Sequence, residues 1–126
     1  MAMRLLHRLS AIALLVWAAG ADAKAVRIER NSKVLEFSFE WSAEAASIPA
    51  LDRFFRSRME KMYRSAEAGA LKDMKSARGS DREFHTHFHS EDWSTAGRTR
   101  RLLSLKGQVG TFTGGGHPKS SATALL

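Results

Sequence analysis

Leu35, Phe37, Phe39 and Trp41 alternate strictly with Glu36, Ser38 and Glu40. A period of two with one apolar row predicts a β-strand over Lys33–Ser42, with one face on a core and the other in water. Val26 and Ile28 alternate with Arg27 and Glu29 in the same way and predict a strand over Lys24–Arg30. Asn31-Ser32 between them has turn chemistry, so the two strands are expected to form a hairpin. The period then changes. Leu51, Phe55, Met59 or Met62, Ala66 and Ala70 recur at helical spacing, and Phe54, Tyr63, Leu71 and Met74 widen the stripe. Arg53, Arg56, Glu60, Lys61, Arg64 and Glu67 lie mostly on the other side. This predicts a helix from Ile48 to Ser76, on the order of 40 Å long, whose methionine and aromatic stripe packs on the sheet. Ser47 is the expected N-cap, Pro49 fits the first turn, Gly69 marks a bend and Gly79 a C-terminal cap.

Period two returns in Arg82–Trp93, where Phe84, Thr86, Phe88 and Ser90 share one face and His85, His87, His89 and Glu91 the other. Thr95-Ala96-Gly97 is expected to turn the chain, and Thr99–Thr113 to return as a long strand. Gly107 and Gly110 inside that strand suggest a bulge or a close backbone approach. Gly114, Gly115 and Gly116 then form a sharp turn that carries His117, which Pro118 holds extended. Ser120–Leu126 begins a further strand and ends on Leu125-Leu126 without a cap or polar tail, so the domain is expected to be truncated at its C-terminus. The predicted architecture is α+β: an antiparallel sheet of four to five strands packed on one long helix, with Leu35, Phe37, Phe39 and Trp41 meeting Leu51, Phe55 and Met62.

The first residues follow a different pattern. Arg4 and Arg8 precede an apolar run, Leu9–Ala19, and Ala21-Asp22-Ala23 gives a small-x-small cleavage site. These are the three parts of a secretory signal peptide, residues 1–23, with cleavage expected between Ala23 and Lys24. The run is short for a stable membrane span. A periplasmic or secreted domain, residues 24–126, is therefore expected, with no stable membrane span after cleavage. The 126-residue chain has no cysteine, which excludes disulfides and a lipid-modified cysteine, so packing alone supplies stability. Its net charge is +7. Outside the cytoplasm a basic surface meets anionic lipids, wall polymers and acidic proteins rather than nucleic acid. Arg98, Arg100 and Arg101 form the one basic cluster, read as a solvated strand start.

Two sets of residues carry candidate chemistry. His85, His87 and His89 fall on one strand face, about 6.6 Å apart in steps of two. A His-x-His pair can chelate zinc at about 2.0–2.1 Å from each ring nitrogen, with His117 arriving from the glycine turn. The same residues on a partly exposed strand face would only stack or hydrogen-bond, and the outer two of three on a straight strand sit too far apart for one tetrahedral ion. His117 titrates near neutrality and could serve as an acid or base, or simply hydrogen-bond the backbone and fix the turn. Gly-x-Ser-x-Gly is absent, and Gly114–Gly116 lacks the Lys-Ser/Thr of a phosphate loop.

The order of these features resembles the PdaC/RsiV-like family, which comprises the accessory domain of a peptidoglycan deacetylase and the extracellular part of a lysozyme-sensing anti-sigma factor. The matching pieces are LEFSFEW at Leu35–Trp41, Ile48-Pro49-x-Leu51, Trp93 after an alternating strand, RLLSL at Arg101–Leu105 and TFTGGGHP at Thr111–Pro118. The last fits the family's aromatic-Thr-Gly-Gly-Ala-His turn, with Gly116 in the alanine place. Two departures stand out: the family's C-terminal portion is missing, and the triple histidine replaces what is more often an aromatic/Ser alternation. The resemblance implies a non-catalytic cell-envelope recognition module that binds a cell-wall glycan or a secreted protein, with Thr113, Gly114, Gly115, Gly116 and His117 as candidate ligand-binding residues. It does not imply deacetylation, whose catalysis resides in a separate domain. The alternative is a metal-binding protein or metal-dependent hydrolase that uses His85, His87, His89 and His117 with zinc as its cofactor.

Overall fold

The computed structural model describes residues 24–115 and 118–125. Strands β1 (Val26–Asn31) and β2 (Leu35–Trp41) form the expected hairpin. Ser32 closes its turn, donating its N–H to the Leu35 carbonyl while its hydroxyl accepts from the amides of Val34 and Leu35. A short helix, α1 (Ala43–Ala46), then leads into the long helix α2 (Pro49–Arg78). Strands β3 (His87–Arg98), β4 (Leu103–Phe112) and β5 (Lys119–Leu125) complete a five-stranded sheet in the order β1-β2-β3-β4-β5. The signal-peptide reading of residues 1–23, and the positions of Gly116, His117 and Leu126, lie outside the described residues.

The sheet is mixed, not antiparallel as expected: β3 runs parallel to β2, with Leu35 opposite His87 and Trp41 opposite Trp93. The cause is α2. It leaves the Trp41 end of the sheet and at about 1.5 Å per residue covers the full length of β2 and more. The chain therefore re-enters at the beginning of β2, and a strand that starts there runs parallel to it. The remaining pairs are antiparallel.

Three local expectations are corrected as well. Ser47 does not cap α2. Its hydroxyl donates to the Glu44 carbonyl at the end of α1, and Ile48 takes the N-cap position without a side-chain hydrogen bond. β3 begins at His87 rather than Arg82, because Arg82–Thr86 are spent returning from the overshooting helix. Thr95-Ala96-Gly97 is not a turn but a register shift within the β3–β4 pair. The hairpin closes later, where Thr99 donates its N–H to the Leu102 carbonyl. Of the two readings offered for Gly107, the close approach holds: a Cβ there would lie 2.8 Å from the Trp93 ring.

The core forms between α2 and one face of the sheet. Leu35, Phe37, Phe39 and Trp41 are buried, as expected, against Phe55 and Met59, with Leu51 and Met62 half-buried at the margin. Burying each such side chain is worth roughly 1.5–3 kcal/mol. On β3 the face turned towards α2 is the one with His87, Glu91 and Trp93, all buried, whereas Phe88 on the other face is exposed. Phe37 and Phe39 fix this choice, since parallel register places His89 beside Phe37 and Glu91 beside Phe39 on the same side of the sheet.

Candidate functional site

Along α2 the residues that face the sheet change size. Phe55 and Met59 fill the first half. Ser65, Ala66 and Gly69 follow on the same helix face and leave space. That space is a cleft of about 230 Å³ between the second half of α2 and the strands, with His87, Phe88 and His89 of β3 and Thr111, Phe112 and Thr113 of β4 on the far wall. Gly69 lines the cleft, and a Cβ built on it would meet nothing within 4 Å.

The histidines of the alternating stretch separate. His85 precedes β3 and is exposed. His87 is buried and directs Nε2 to Oδ2 of Asp73 at 2.9 Å, with its ring stacked on Phe84. Asp73 also accepts from the Arg82 guanidinium at 2.8 Å. The hydrogen bond from His87, then that from Arg82, hold the Asp73 carboxyl below the usual carboxylate range. His89 points into the protein, its ring lying 5.5 Å from that of Phe37 and nearly parallel to it. Its Nε2 is buried and has no hydrogen-bond partner among the described residues. Burial lowers the His89 pKa, with Arg58 adding to the effect and Glu91 opposing it.

The glycine turn arrives at the same place. Gly114 has φ +83°, a conformation that strains other residues. A Cβ there would lie 3.3 Å from Asp73 Oδ2 and 3.8 Å from His87 Nε2. Thr113 and Gly114 thus close over the Asp73–His87 pair at one end of the cleft, while Gly115 lies outside it, exposed. Of the candidate ligand-binding turn, Thr113, Gly114 and Gly115 are described, and Thr113 and Gly114 sit at the cleft; Gly116 and His117 lie outside the described residues. Among the described residues no group of three or more His, Asp or Glu is arranged to hold a metal ion.

Glu91, grouped by pattern with the histidines, has another partner. Arg58 of α2 grips it with two hydrogen bonds of 2.7 and 2.8 Å, and Trp93 Nε1 donates to it at 3.1 Å. Its side chain is 1% exposed. This bidentate pair ties helix to sheet beside Trp93 and leaves the carboxylate saturated. Arg58 and Asp73 were not singled out from the sequence. Both occupy helix positions in register with the apolar stripe, Arg58 three residues after Phe55 and Asp73 three after Ala70. A charge at such a position calls for a partner across the interface.

No protein-family model matches the chain, and no curated protein matches it. Among solved structures, the chain is similar to the crystal structure of a member of the DUF3298 family from Bacteroides fragilis, with 12% identity and a TM-score of 0.43. The likeness covers 81% of this chain and 53% of that one, so this chain spans about half the length of the protein it matches.

Proposed function

We propose that this protein is an exported, non-catalytic recognition module of the cell envelope, similar to the PdaC/RsiV-like domains, and that the cleft beside the Thr113–Gly115 turn receives its ligand, a wall component or a segment of a secreted protein. The observation that carries the reading is the convergence of that turn and the Asp73–His87 pair on one cleft, whose wall His89 also lines. The cleft is smaller than the roughly 300–1,000 Å³ that whole drug-sized ligands occupy. Its size suits one ring or one side chain of a longer polymer. The basic net charge favours acidic wall material.

The test is a titration of the protein with soluble disaccharide-peptide fragments of peptidoglycan, followed by NMR and calorimetry. Wild type should show shifts confined to residues 111–115 and His89. Gly69→Leu, which fills the cleft from the helix side, should abolish them while the fold is retained. Equal binding by Gly69→Leu would remove the cleft from the reading. A parallel titration with Zn²⁺ alone addresses the metal alternative: stabilisation that grows with zinc concentration, and is lost in His89→Gln, would favour it over wall recognition.

A further inference from the structure

The end of the sheet opposite the cleft is built differently. The β3–β4 turn carries Arg98, Arg100 and Arg101, none of which makes an ion pair among the described residues. Between these arginines and β4 stands Leu102, 67% exposed. Ile48, 39% exposed at the start of α2, lines the same shallow depression as Arg98 and Leu102. The acid that lines it is Glu44, which accepts from Thr95 and offsets part of the Arg98 charge. Arginines ringing two exposed aliphatic side chains is the chemistry of a surface that meets anionic headgroups and the acyl boundary beneath them.

The topology adds a second, independent argument. Val26, where the chain enters β1, pairs with Trp41, and Trp41 pairs with Trp93 on the way to the β3–β4 turn. Residues 1–23 are therefore joined to the sheet at this same end. Until the expected cleavage after Ala23, their apolar run, Leu9–Ala19, would keep this end of the chain near the membrane during export. Among the described residues no helix is long and apolar enough to cross a membrane.

We propose that this end of the sheet, with Arg98, Arg100, Arg101, Leu102 and Ile48, docks on the surface of an anionic lipid bilayer. The cleft lies towards the opposite end, so docking leaves it turned away from the membrane, and the proposal stands whether or not the cleft binds wall material. Substitutions at the turn are safe for the fold. Its shape is held by Thr99, whose N–H bonds the Leu102 carbonyl and whose hydroxyl accepts from the amides of Arg101 and Leu102.

The experiment uses the exported chain, residues 24–126, and vesicles of phosphatidylcholine with or without phosphatidylglycerol. At about fivefold per basic residue near a charged membrane, Arg100→Gln/Arg101→Gln should weaken partitioning onto anionic vesicles roughly 25-fold. Added salt should weaken wild type more than the variant. Because the chain has no cysteine, a single Leu102→Cys labelled with an environment-sensitive dye reports depth directly. Its emission should shift to the blue on anionic vesicles, whereas a dye on Lys33→Cys, in the turn at the far end of the sheet, should not respond. Equal partitioning of wild type and the Arg100→Gln/Arg101→Gln variant, equal responses at positions 102 and 33, or no response at either, would overturn the proposal. So would a finding by analytical ultracentrifugation that Leu102→Ser dissolves a dimer of this chain while vesicle binding is unchanged, which would assign the surface to a second copy.

Discussion

One helix face and one strand build two unlike regions. Towards the start of α2, Phe55, Met59, Trp41 and Trp93 close the space between helix and sheet, and the buried carboxylate there, Glu91, is saturated by Arg58 and Trp93. Three helical turns later Ser65, Ala66 and Gly69 stand in the same position towards β3, and the space stays open. There His89 Nε2 is buried without a hydrogen-bond partner among the described residues. The strand pattern is continuous through both regions. What differs is the volume that the helix contributes. The closed region supplies stability, and the open one leaves a cleft, the ligand site proposed above.

The comparison breaks most visibly if large side chains are removed. Phe55→Ala in the closed region and Phe37→Ala at the base of the open one should each cost about 3–5 kcal/mol, enough to unfold a marginal domain. Phe37 is 1% exposed and touches both Tyr63 and His89. Thermal melts in which Phe37→Ala behaves like wild type would show that the open region contributes nothing to stability. Arg58→Met should follow at about 3 kcal/mol, since it leaves a buried carboxylate with only Trp93 as donor. Arg58→Met/Glu91→Leu should recover most of that loss, and chemical denaturation of the four proteins would measure the coupling.

Both regions were partly legible in the residues themselves. Alternation at Leu35–Trp41 and the stripe through Phe55 identified the core because apolar periodicity is a local signal, and five strands with one long helix followed from it. The parallel pairing of β2 and β3 was not legible in the same way: it depends on where a 30-residue helix delivers the chain, a property of length and direction rather than of pattern. Which face of β3 turns inward was hidden too. His87, His89 and Glu91 read as the polar face, yet Phe37 and Phe39 on the neighbouring strand draw them inside, where Asp73, Phe37 and Arg58 receive them. The glycine turn was visible from composition, but its approach to Asp73 joins residues about forty apart along the chain, which no local motif encodes.

A smaller effect of opposite sign is expected in the open region. Gly69 lies inside a helix, where glycine is worse than alanine by roughly 0.8–1.0 kcal/mol, and an added Cβ meets nothing there. Gly69→Ala should therefore raise the stability by about that amount. The same substitution narrows the cleft, so the gain should come with weaker binding of peptidoglycan fragments. A stabilised Gly69→Ala that also binds more tightly would mean that the open space is no binding site. A destabilised one would mean that the helix needs the bend which glycine permits.

The mildest probe uses pH alone. Burial lowers the His89 pKa in the folded protein, so the unfolded chain takes up this proton more readily. Stability is then fully present above the unfolded histidine value of about 6.5 and falls as pH drops through it. The carboxylates act lower. Asp73, Asp52 and Glu60 are held below their ordinary values by hydrogen bonds to His87, Arg56 and Arg30 respectively. Their contribution is present above about pH 4 and is lost as they are protonated below it. Asp92, raised by burial, acts in the opposite direction in that range. The interval between about pH 5 and 6.5 is thus where His89 is read with least interference from carboxylates. Melting temperatures should decline across it in wild type and decline less in His89→Phe, which keeps the stack on Phe37 without the titrating ring. A flat profile in wild type, or an undiminished slope in His89→Phe, would show that the imidazole in the cleft is not the buried, neutral group on which the open region is built.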